Sequence, residues 1–164
     1  MKLLLENWRK HIKEISMGHD MTNSIEYTAL VLDGDSHDRL AVLAPNGWKA
    51  IAHHMTIIRP HEMKSGRLPS QWLEYKGCLK VVAIAQNDQV MAALVDLGGL
   101  PMPMKGPTMP HVTIATAVDL EKTKDPKKPI YYSAKLSNEF LETDFQPIKP
   151  EPIKICGAVE EVMK

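Results

Sequence analysis

The chain has 164 residues, of which 44% are hydrophobic and 24% charged, a composition typical of a soluble globular protein. This length allows one domain with a buried core and is too short for two ordinary domains. The 20 basic residues balance the 20 acidic ones. That balance argues against a protein that coats nucleic acid non-specifically, because counterion release from phosphates favours basic proteins.

The first eighteen residues carry the pattern of an amphipathic helix. Apolar side chains recur at helical spacing along one stripe, charged side chains lie outside it, and Gly18 is a suitable stop. We therefore expect residues 1–18 to form a helix beside a single domain that spans residues 25–164. The apolar stripe consists of Leu4, Leu5, Trp8, Ile12 and Ile15.

The next segment alternates apolar runs with turn signals. The first run is continuous, as in a strand that is buried on both faces. Ser36 can cap a short helix, and a Pro-Asn-Gly string marks a turn. The predicted elements are a strand over 25–32, a helix over 36–43, a turn over 45–47, a strand over 51–58 and a polar loop over 61–70.

The pattern of the second half of the chain predicts mainly strands. Two apolar runs meet at Asn87-Asp88, although the second of them is also compatible with a helix lying over the sheet. Proline cannot donate to a sheet ladder, so the proline-rich stretch 98–110 predicts an ordered loop. The predicted strands are 78–86, 89–97, 111–118, 130–136 and 153–162, with a solvated loop over 119–129.

The two cysteines, Cys78 and Cys156, lie far apart and fit no spacing of metal ligands. We expect both to be reduced thiols in the core of an intracellular protein. No apolar run reaches the length of a signal peptide or a membrane span. The expected compartment is therefore the cytoplasm, with no membrane partner, and the oligomeric state is left open.

Two short strings, HMTI at 54–57 and HVTI at 111–114, share one pattern. Each places Thr two residues after His and an aliphatic residue next. Side chains on a strand alternate faces with period two, so the His and Thr of each string point the same way. The composition predicts only roughly 0.3 accidental H-x-T matches. Two such strands side by side would bring two imidazoles and two hydroxyls together.

The paired strings resemble the signature of the 2H phosphoesterase superfamily, which has two H-x-[ST]-φ strands. The second string is the closer match, because Pro110 directly precedes His111, as is common there. In the first, only His54 has Thr at the +2 position, so the register places His53 on the opposite face and predicts little role for it. The resemblance covers about residues 25–162 and is closest to the RNA-repair and viral branches. It implies an α+β, two-lobed, pseudo-symmetric fold with antiparallel sheets flanked by helices.

These residue types suit phosphodiester chemistry. The ordinary pKa of an imidazole, about 6.5, lets one histidine accept a proton while the other donates one. The sequence does not assign the two roles. The Thr hydroxyls can donate hydrogen bonds to phosphoryl oxygens. The predicted catalytic residues are His54, Thr56, His111 and Thr113. No cofactor or metal is needed, and a bell-shaped rate with both limbs in the histidine range is expected.

The resemblance also implies the class of substrate, a phosphodiester that involves a ribose 2′ or 3′ oxygen. The favoured reading is an RNA end that carries a 2′,3′-cyclic phosphate. The alternative is a cyclic di- or oligonucleotide signal, which some viral members of the superfamily degrade in the host cytoplasm. A third reading is a catalytically idle nucleotide-binding module, against which the two intact motifs argue. Zero net charge suits a small nucleotide or a single RNA end.

Three further residues are predicted to contact the substrate: Tyr27 on the first strand, and Lys105 and Met109 in the loop before the second motif. A methionine offers an adaptable apolar wall to a base. Arg59 begins a basic stretch that either approaches phosphate or is simply solvated. Aromatic residues elsewhere can stack on a base or pack in the core; they are Trp48, Trp72, Tyr131 and Tyr132.

A zinc site is the main rival interpretation of the histidines. Imidazole is a common zinc ligand, and the candidates are His53, His54, His61 and His111. Adjacent histidines on a strand point to opposite faces, however, and no carboxylate or thiol is suitably spaced. We therefore expect no metal at this site.

Overall fold

The computed structural model describes residues 25–59, 70–104, 109–143 and 146–163. The predicted helix over 1–18, nearly all of the predicted loop over 61–70, and Lys105 lie outside the described residues. The elements in chain order are β1 (Ile25–Leu32), α1 (Gly34–Ala41), β2 (Lys49–Ala50), β3 (His54–Ile58), α2 (Ser70–Leu73), β4 (Lys76–Gln86), β5 (Val90–Asp96), β6 (His111–Thr116), α3 (Leu136–Leu141) and β7 (Ile153–Met163).

The strands form one antiparallel sheet in the order β2-β6-β3-β1-β7-β4-β5. Because β5 also pairs with β6, the hydrogen-bonded ladder closes into a ring of six strands. The predicted α+β class with antiparallel pairing is confirmed. Alternate side chains of these strands point into the ring and form the main core, which includes Leu30, Met55, Ile57, Val112, Ile114 and Ile155.

Strand β1 has the bounds that its apolar run predicts. It lies in the middle of the sheet, with β3 on one side and β7 on the other. Thr28, Ala29 and Leu30 are all fully buried. The burial of these three consecutive residues accounts for the apolar pattern at the centre of the strand, whereas Glu26 is exposed and Tyr27 and Val31 are half-buried.

Helix α1 begins earlier than predicted, because its N-cap is Asp33 and not Ser36. The Asp33 carboxylate accepts a hydrogen bond from the Ser36 backbone N–H at 2.8 Å, the usual role of an N-cap. The buried Ser36 hydroxyl instead accepts from the backbone N–H of Cys156 at 2.7 Å. Ser36 therefore fastens the helix to β7.

The prediction of two reduced core cysteines is wrong. Cys78 on β4 and Cys156 on β7 are direct partners in the antiparallel ladder, their Cα atoms are 3.9 Å apart, and their sulfur atoms are bonded. The Cys78 residue is also exposed. Seventy-eight residues separate the two positions, so only the pairing of distant strands brings them together. With both thiols bonded, the cysteines no longer indicate an intracellular protein, and the cytoplasmic location stays a prediction.

Two other predictions need correction. The run after Asn87 is strand β5, and the helical alternative is wrong. The predicted strand over 130–136 is reduced to one bridge between Val118 and Tyr131, followed by helix α3. Phe140 and Leu141 of that helix pack against Ala85 and the neighbouring strand β5. None of the helices in the described ranges is long and apolar enough to cross a membrane.

Gly157 on β7 allows a close approach of the neighbouring strand. A Cβ at this position would fall on the carbonyl oxygen of Val31 and close to Leu32. We therefore expect Gly157→Ala to lower the free energy of unfolding by about 1–3 kcal/mol, as overpacking usually does. Gly34→Ala is the matched control, because its Cβ meets nothing within 4 Å. Urea unfolding that ranks the two variants equally would contradict this reading.

Candidate active site

The pairing of β3 with β6 gathers the two sequence motifs. Met55 is the ladder partner of Val112, and both side chains are fully buried in the core. Stepping one residue either way along an antiparallel pair places His54 opposite Thr113, and Thr56 opposite His111. All four predicted catalytic residues therefore lie on the outer face of the same two strands. The two histidines are diagonal neighbours, within reach of long side chains.

An irregularity just before β3 sets the orientation of the first motif. Strand β6 pairs with β2 at Lys49 and Ala50 and then with β3 at Met55, so extra residues are accommodated between them. Ala52 within this bulge is fully buried and has a φ of 39°, a left-handed value that is uncommon for a residue with a Cβ. Bulges of this kind re-aim side chains beside functional sites.

The bulge also changes the position of His53. Strand β3 begins only at His54, so His53 does not follow the strand alternation. Its Nδ1 lies 3.2 Å from Nδ1 of His54, with the rings edge-to-face and their centroids 5.5 Å apart. The prediction that His53 points away from His54 is therefore wrong.

A second aromatic ring, that of Tyr27, also contacts His54. The Tyr27 and His54 rings are stacked at 26° with their centroids 4.8 Å apart. Tyr27 thus lies against His54 and holds the plane of that imidazole, and its contact with substrate stays a prediction.

His54 is held in its neutral form. Burial lowers its pKa from 6.5 to about 4, with smaller contributions from the positive charges that His53 and His111 would carry. Burial disfavours a charged imidazole because water no longer solvates it. Near neutral pH, His54 therefore has a lone pair with which it can accept a proton.

His111 is buried, with 7% of its surface exposed, and its Nδ1 lies 2.7 Å from the backbone oxygen of Met109. A carbonyl oxygen only accepts, so Nδ1 carries a proton in both states of the ring, and Nε2 is the atom that gains or loses one. Burial lowers the pKa of His111, the Met109 carbonyl opposes this, and the charge of Arg59 lowers the pKa further.

Ser137 on α3 links the two polar residues of the second motif. Its buried hydroxyl lies 3.2 Å from Nε2 of His111 and 2.8 Å from Oγ1 of Thr113, and it donates to the backbone oxygen of Ala134 at 2.7 Å. It can accept a hydrogen bond from a protonated His111. Sequence analysis missed Ser137, because no element was predicted for the stretch that follows residue 136, where α3 lies.

Arg59 lies at the end of β3 next to the second histidine. Its Nη2 donates a hydrogen bond of 2.7 Å to Oδ1 of Asn138 on α3, and its charge is felt by His111. This contact holds a guanidinium, a donor well suited to phosphate oxygens, beside the face of the two motifs. Of the two readings of Arg59, the structure places it near the site rather than in a free loop.

The remaining predicted residues divide between site and core. The backbone oxygen of Met109 accepts a hydrogen bond from His111. The residue itself is 38% exposed. Trp48 and Trp72 pack against the main core, and Trp72 also contacts Tyr75. The ring of Tyr131 lies 6.0 Å from Nζ of Lys49. None of these last contacts belongs to the motif face.

Within the ranges that the structure describes, no group of three or more His, Cys, Asp or Glu side chains is arranged to hold a metal ion. His61, one of the four histidines in the zinc interpretation, lies outside those ranges. Comparison of the chain with protein-family models, with curated proteins and with solved structures gives no match.

Proposed function

We propose that this protein is a phosphodiesterase of the 2H type that cleaves a cyclic phosphodiester at a ribose 2′ or 3′ oxygen, with an RNA 2′,3′-cyclic phosphate end as its substrate. The observation that carries the proposal is the convergence of His54, Thr56, His111 and Thr113 on one face of the β3–β6 pair. Two proton-transfer groups and two hydroxyl donors around one volume match the needs of phosphoryl transfer without a cofactor.

The environments of the two histidines indicate which one acts as the general base and which as the general acid. His54, with its pKa of about 4, is the general base. His111 is the general acid, because acceptors face both of its nitrogens: the Met109 carbonyl at Nδ1 and the Ser137 hydroxyl at Nε2. Acceptors at both nitrogens favour the protonated form of the ring and oppose, without outweighing, the effect of burial, which lowers the pKa of His111.

In the proposed reaction, water attacks phosphorus while Nε2 of His54 takes one of its protons. The bond between phosphorus and the leaving ribose oxygen breaks, and Nε2–H of His111 gives that oxygen a proton. The product is a phosphomonoester with a free hydroxyl. The reaction leaves His54 protonated and His111 neutral, and proton exchange with solvent restores both.

Three donors surround the phosphoryl group in this scheme. Thr56 donates to a non-bridging oxygen as negative charge builds on it. Thr113, whose hydroxyl donates to Ser137 in the free protein, turns that hydrogen to a second non-bridging oxygen when substrate binds. Arg59, fixed by Asn138, supplies a positive charge on the same side. Tyr27, which stacks on His54, is the residue proposed to contact the nucleoside part of the substrate.

Purified protein assayed against four substrate classes tests the proposal: 2′,3′-cyclic mononucleotides, RNA with a 2′,3′-cyclic phosphate end, cyclic dinucleotides and 3′,5′-cyclic mononucleotides. We expect cleavage of cyclic-phosphate-ended RNA at an unchanged rate in EDTA. Preferential cleavage of cyclic dinucleotides would show that a cyclic dinucleotide, and not an RNA end, is the substrate. Binding of nucleotides without turnover of any of the four would overturn the enzymatic proposal in favour of an idle binding module.

The pH profile follows from the two lowered pKa values. Activity of the free enzyme requires neutral His54 and protonated His111, so kcat/KM rises through the pKa of the base, about 4, and falls through that of the acid, which lies below 6.5. We therefore expect a bell on the acid side of neutrality, below the histidine range predicted from the sequence. A bound anionic phosphodiester raises both pKa values, so the kcat profile should lie at higher pH. Apparent values belong to the pair of histidines.

A kcat/KM optimum at or above pH 7 would contradict the assignment of a depressed base. The control is a variant outside the motif face, His37→Gln on α1, which should leave both limbs unchanged.

A further inference from the structure

The doubled histidine at the start of β3 has a contact that the proposed reaction does not yet use. The Nδ1 atoms of His53 and His54 are 3.2 Å apart, and the two rings meet edge-to-face. His53 is exposed, whereas His54 is half-buried. The stacked Tyr27 ring fixes the plane of His54. The contact with His53 distinguishes the two orientations that share this plane, which differ by a half-turn about the Cβ–Cγ bond.

Proton counting allows two arrangements of this contact. Two nitrogens at hydrogen-bond distance share one proton, so one Nδ1 donates and the other accepts. If His54 donates, its Nε2 carries a free lone pair. If His53 donates, the lone pair of neutral His54 is occupied at Nδ1 and its Nε2 carries the hydrogen. Only the first arrangement leaves His54 able to accept a proton at Nε2.

We propose that His53 is a positioning residue that accepts the Nδ1–H of His54 and so fixes His54 in the tautomer whose Nε2 is free to act as the base. The catalytic role of His53 in this inference rests on the proposed function. In the neutral form that this contact requires, His53 carries its own proton on Nε2, which water can satisfy because the residue is exposed. When His54 takes a proton from the attacking water, its Nδ1–H becomes a charge-assisted donor to His53, so the contact strengthens as the reaction proceeds.

The arrangement depends on the backbone irregularity at Ala52. Without the bulge, adjacent residues on a strand would point to opposite faces, and the two Nδ1 atoms could not meet. The positive φ of Ala52 turns the chain so that His53 precedes the strand and lies beside His54. The backbone oxygen of His53 accepts from the N–H of Leu32 at 3.0 Å, which anchors this conformation to β1 whatever side chain stands at position 53.

Nitrogen NMR of the imidazoles tests the proposal directly. In protein labelled with 15N at histidine, a lone-pair nitrogen and an N–H nitrogen have well-separated resonances, and His54→Gln identifies the signals of His54. We expect the wild type at neutral pH to show His54 with Nδ1 protonated and Nε2 unprotonated. His53→Leu should give a mixture of the two tautomers. His53→Asn, which places an acceptor oxygen near the position of the lost Nδ1, should restore the wild-type pattern.

Kinetics supply the second readout. His53→Leu should lower kcat by roughly 10- to 100-fold with little change in KM, an effect of the size expected for a partner that orients a functional histidine, and His53→Asn should recover most of it. His37→Leu on α1 is the matched control for removal of a surface histidine. Since position 53 is exposed, neither substitution at it threatens the core.

The outcomes separate this inference from the proposed function. A His54 tautomer that carries its proton on Nε2 in the wild type, or one that His53→Leu leaves unchanged, would overturn the positioning role. Wild-type protein that shows the expected tautomer but cleaves no phosphodiester would overturn the enzymatic proposal and leave the assignment of His53 and His54 intact.

Discussion

Replacement of either motif histidine should abolish most of the turnover. His54→Ala removes the proton acceptor and His111→Ala the proton donor, and a positioned acid or base typically contributes about 10²- to 10⁴-fold to the rate. We expect each variant to lose activity in that range on the preferred substrate. The double variant should lose little more than the worse single variant, because residues that act as a unit are not additive. Initial rates at saturating substrate measure the effect.

The folded state must survive for this result to be informative. His54 is half-buried and its loss leaves the core intact. His111 is buried and bonded to Met109 and Ser137, so His111→Gln, which keeps bulk and polarity, accompanies His111→Ala. His37→Ala, on α1, is the control that should retain full activity. Turnover within threefold of wild type in either His111 variant would contradict the assignment of His111 as the general acid.

The candidate site could be predicted from sequence only where the chemistry resides in a local pattern. His54, Thr56, His111 and Thr113 follow from strand alternation in two short strings, and the structure places all four on one face. Ser137 gave no such signal, because a serine in a polar segment acquires meaning only when helix α3 packs beside the second motif. Its contribution depends on a tertiary contact, which no spacing along the chain reveals.

His53 shows the limit of the alternation rule. The rule holds for residues within a strand, and it would have turned His53 away from the site. The irregularity at Ala52 delays the start of β3 until His54, so that His53 lies outside the strand and meets His54. A buried residue with φ of 39° has no signature in an Ala-His-His string, since glycine or asparagine would be the usual sign of such a conformation.

The elements of the fold also differ in whether the sequence predicts them. The apolar run over 25–32 predicted β1 residue for residue, and the strand predicted over 153–162 matches β7 to within one residue. The disulfide of Cys78 and Cys156 depends on which distant strands pair and in which register, which local pattern does not specify. Helix α3 has only six residues and no side-chain cap. Packing of Phe140 and Leu141 on the sheet stabilises it, and propensity alone would not.

The protein's polar network makes the two threonines unequal, although the sequence treats them alike. The Thr113 hydroxyl is 2.8 Å from the buried Ser137 hydroxyl, which also contacts His111. Thr56 lies across from His111 in the register and is half-exposed. A change at Thr113 therefore disturbs both the reaction and the packing of α3, whereas a change at Thr56 affects the outer face alone.

Thr56→Val and Thr113→Val keep the size and branching of the side chain and delete the hydroxyl. If each hydroxyl donates to a phosphoryl oxygen as charge builds, both variants should lower kcat by roughly 10- to 1000-fold with little effect on KM. Their stabilities should differ. Thr113→Val removes a hydrogen bond from buried Ser137 and should cost about 0.5–1.5 kcal/mol of unfolding free energy, while Thr56→Val should cost close to nothing.

Rate measurements at saturating and limiting substrate, together with urea unfolding, separate these effects. Ser137→Ala is the matched comparison for Thr113→Val, because it deletes the other hydroxyl of the same pair and leaves Thr113 free to donate to substrate. It should share the loss of stability and retain more of the turnover. The pH limits of the threonine variants should hardly move, since no titrating group has changed. If Thr→Val variants weaken binding but leave kcat unchanged, the hydroxyls hold the ground state rather than the transition state, and the proposed catalytic role of Thr56 and Thr113 is wrong.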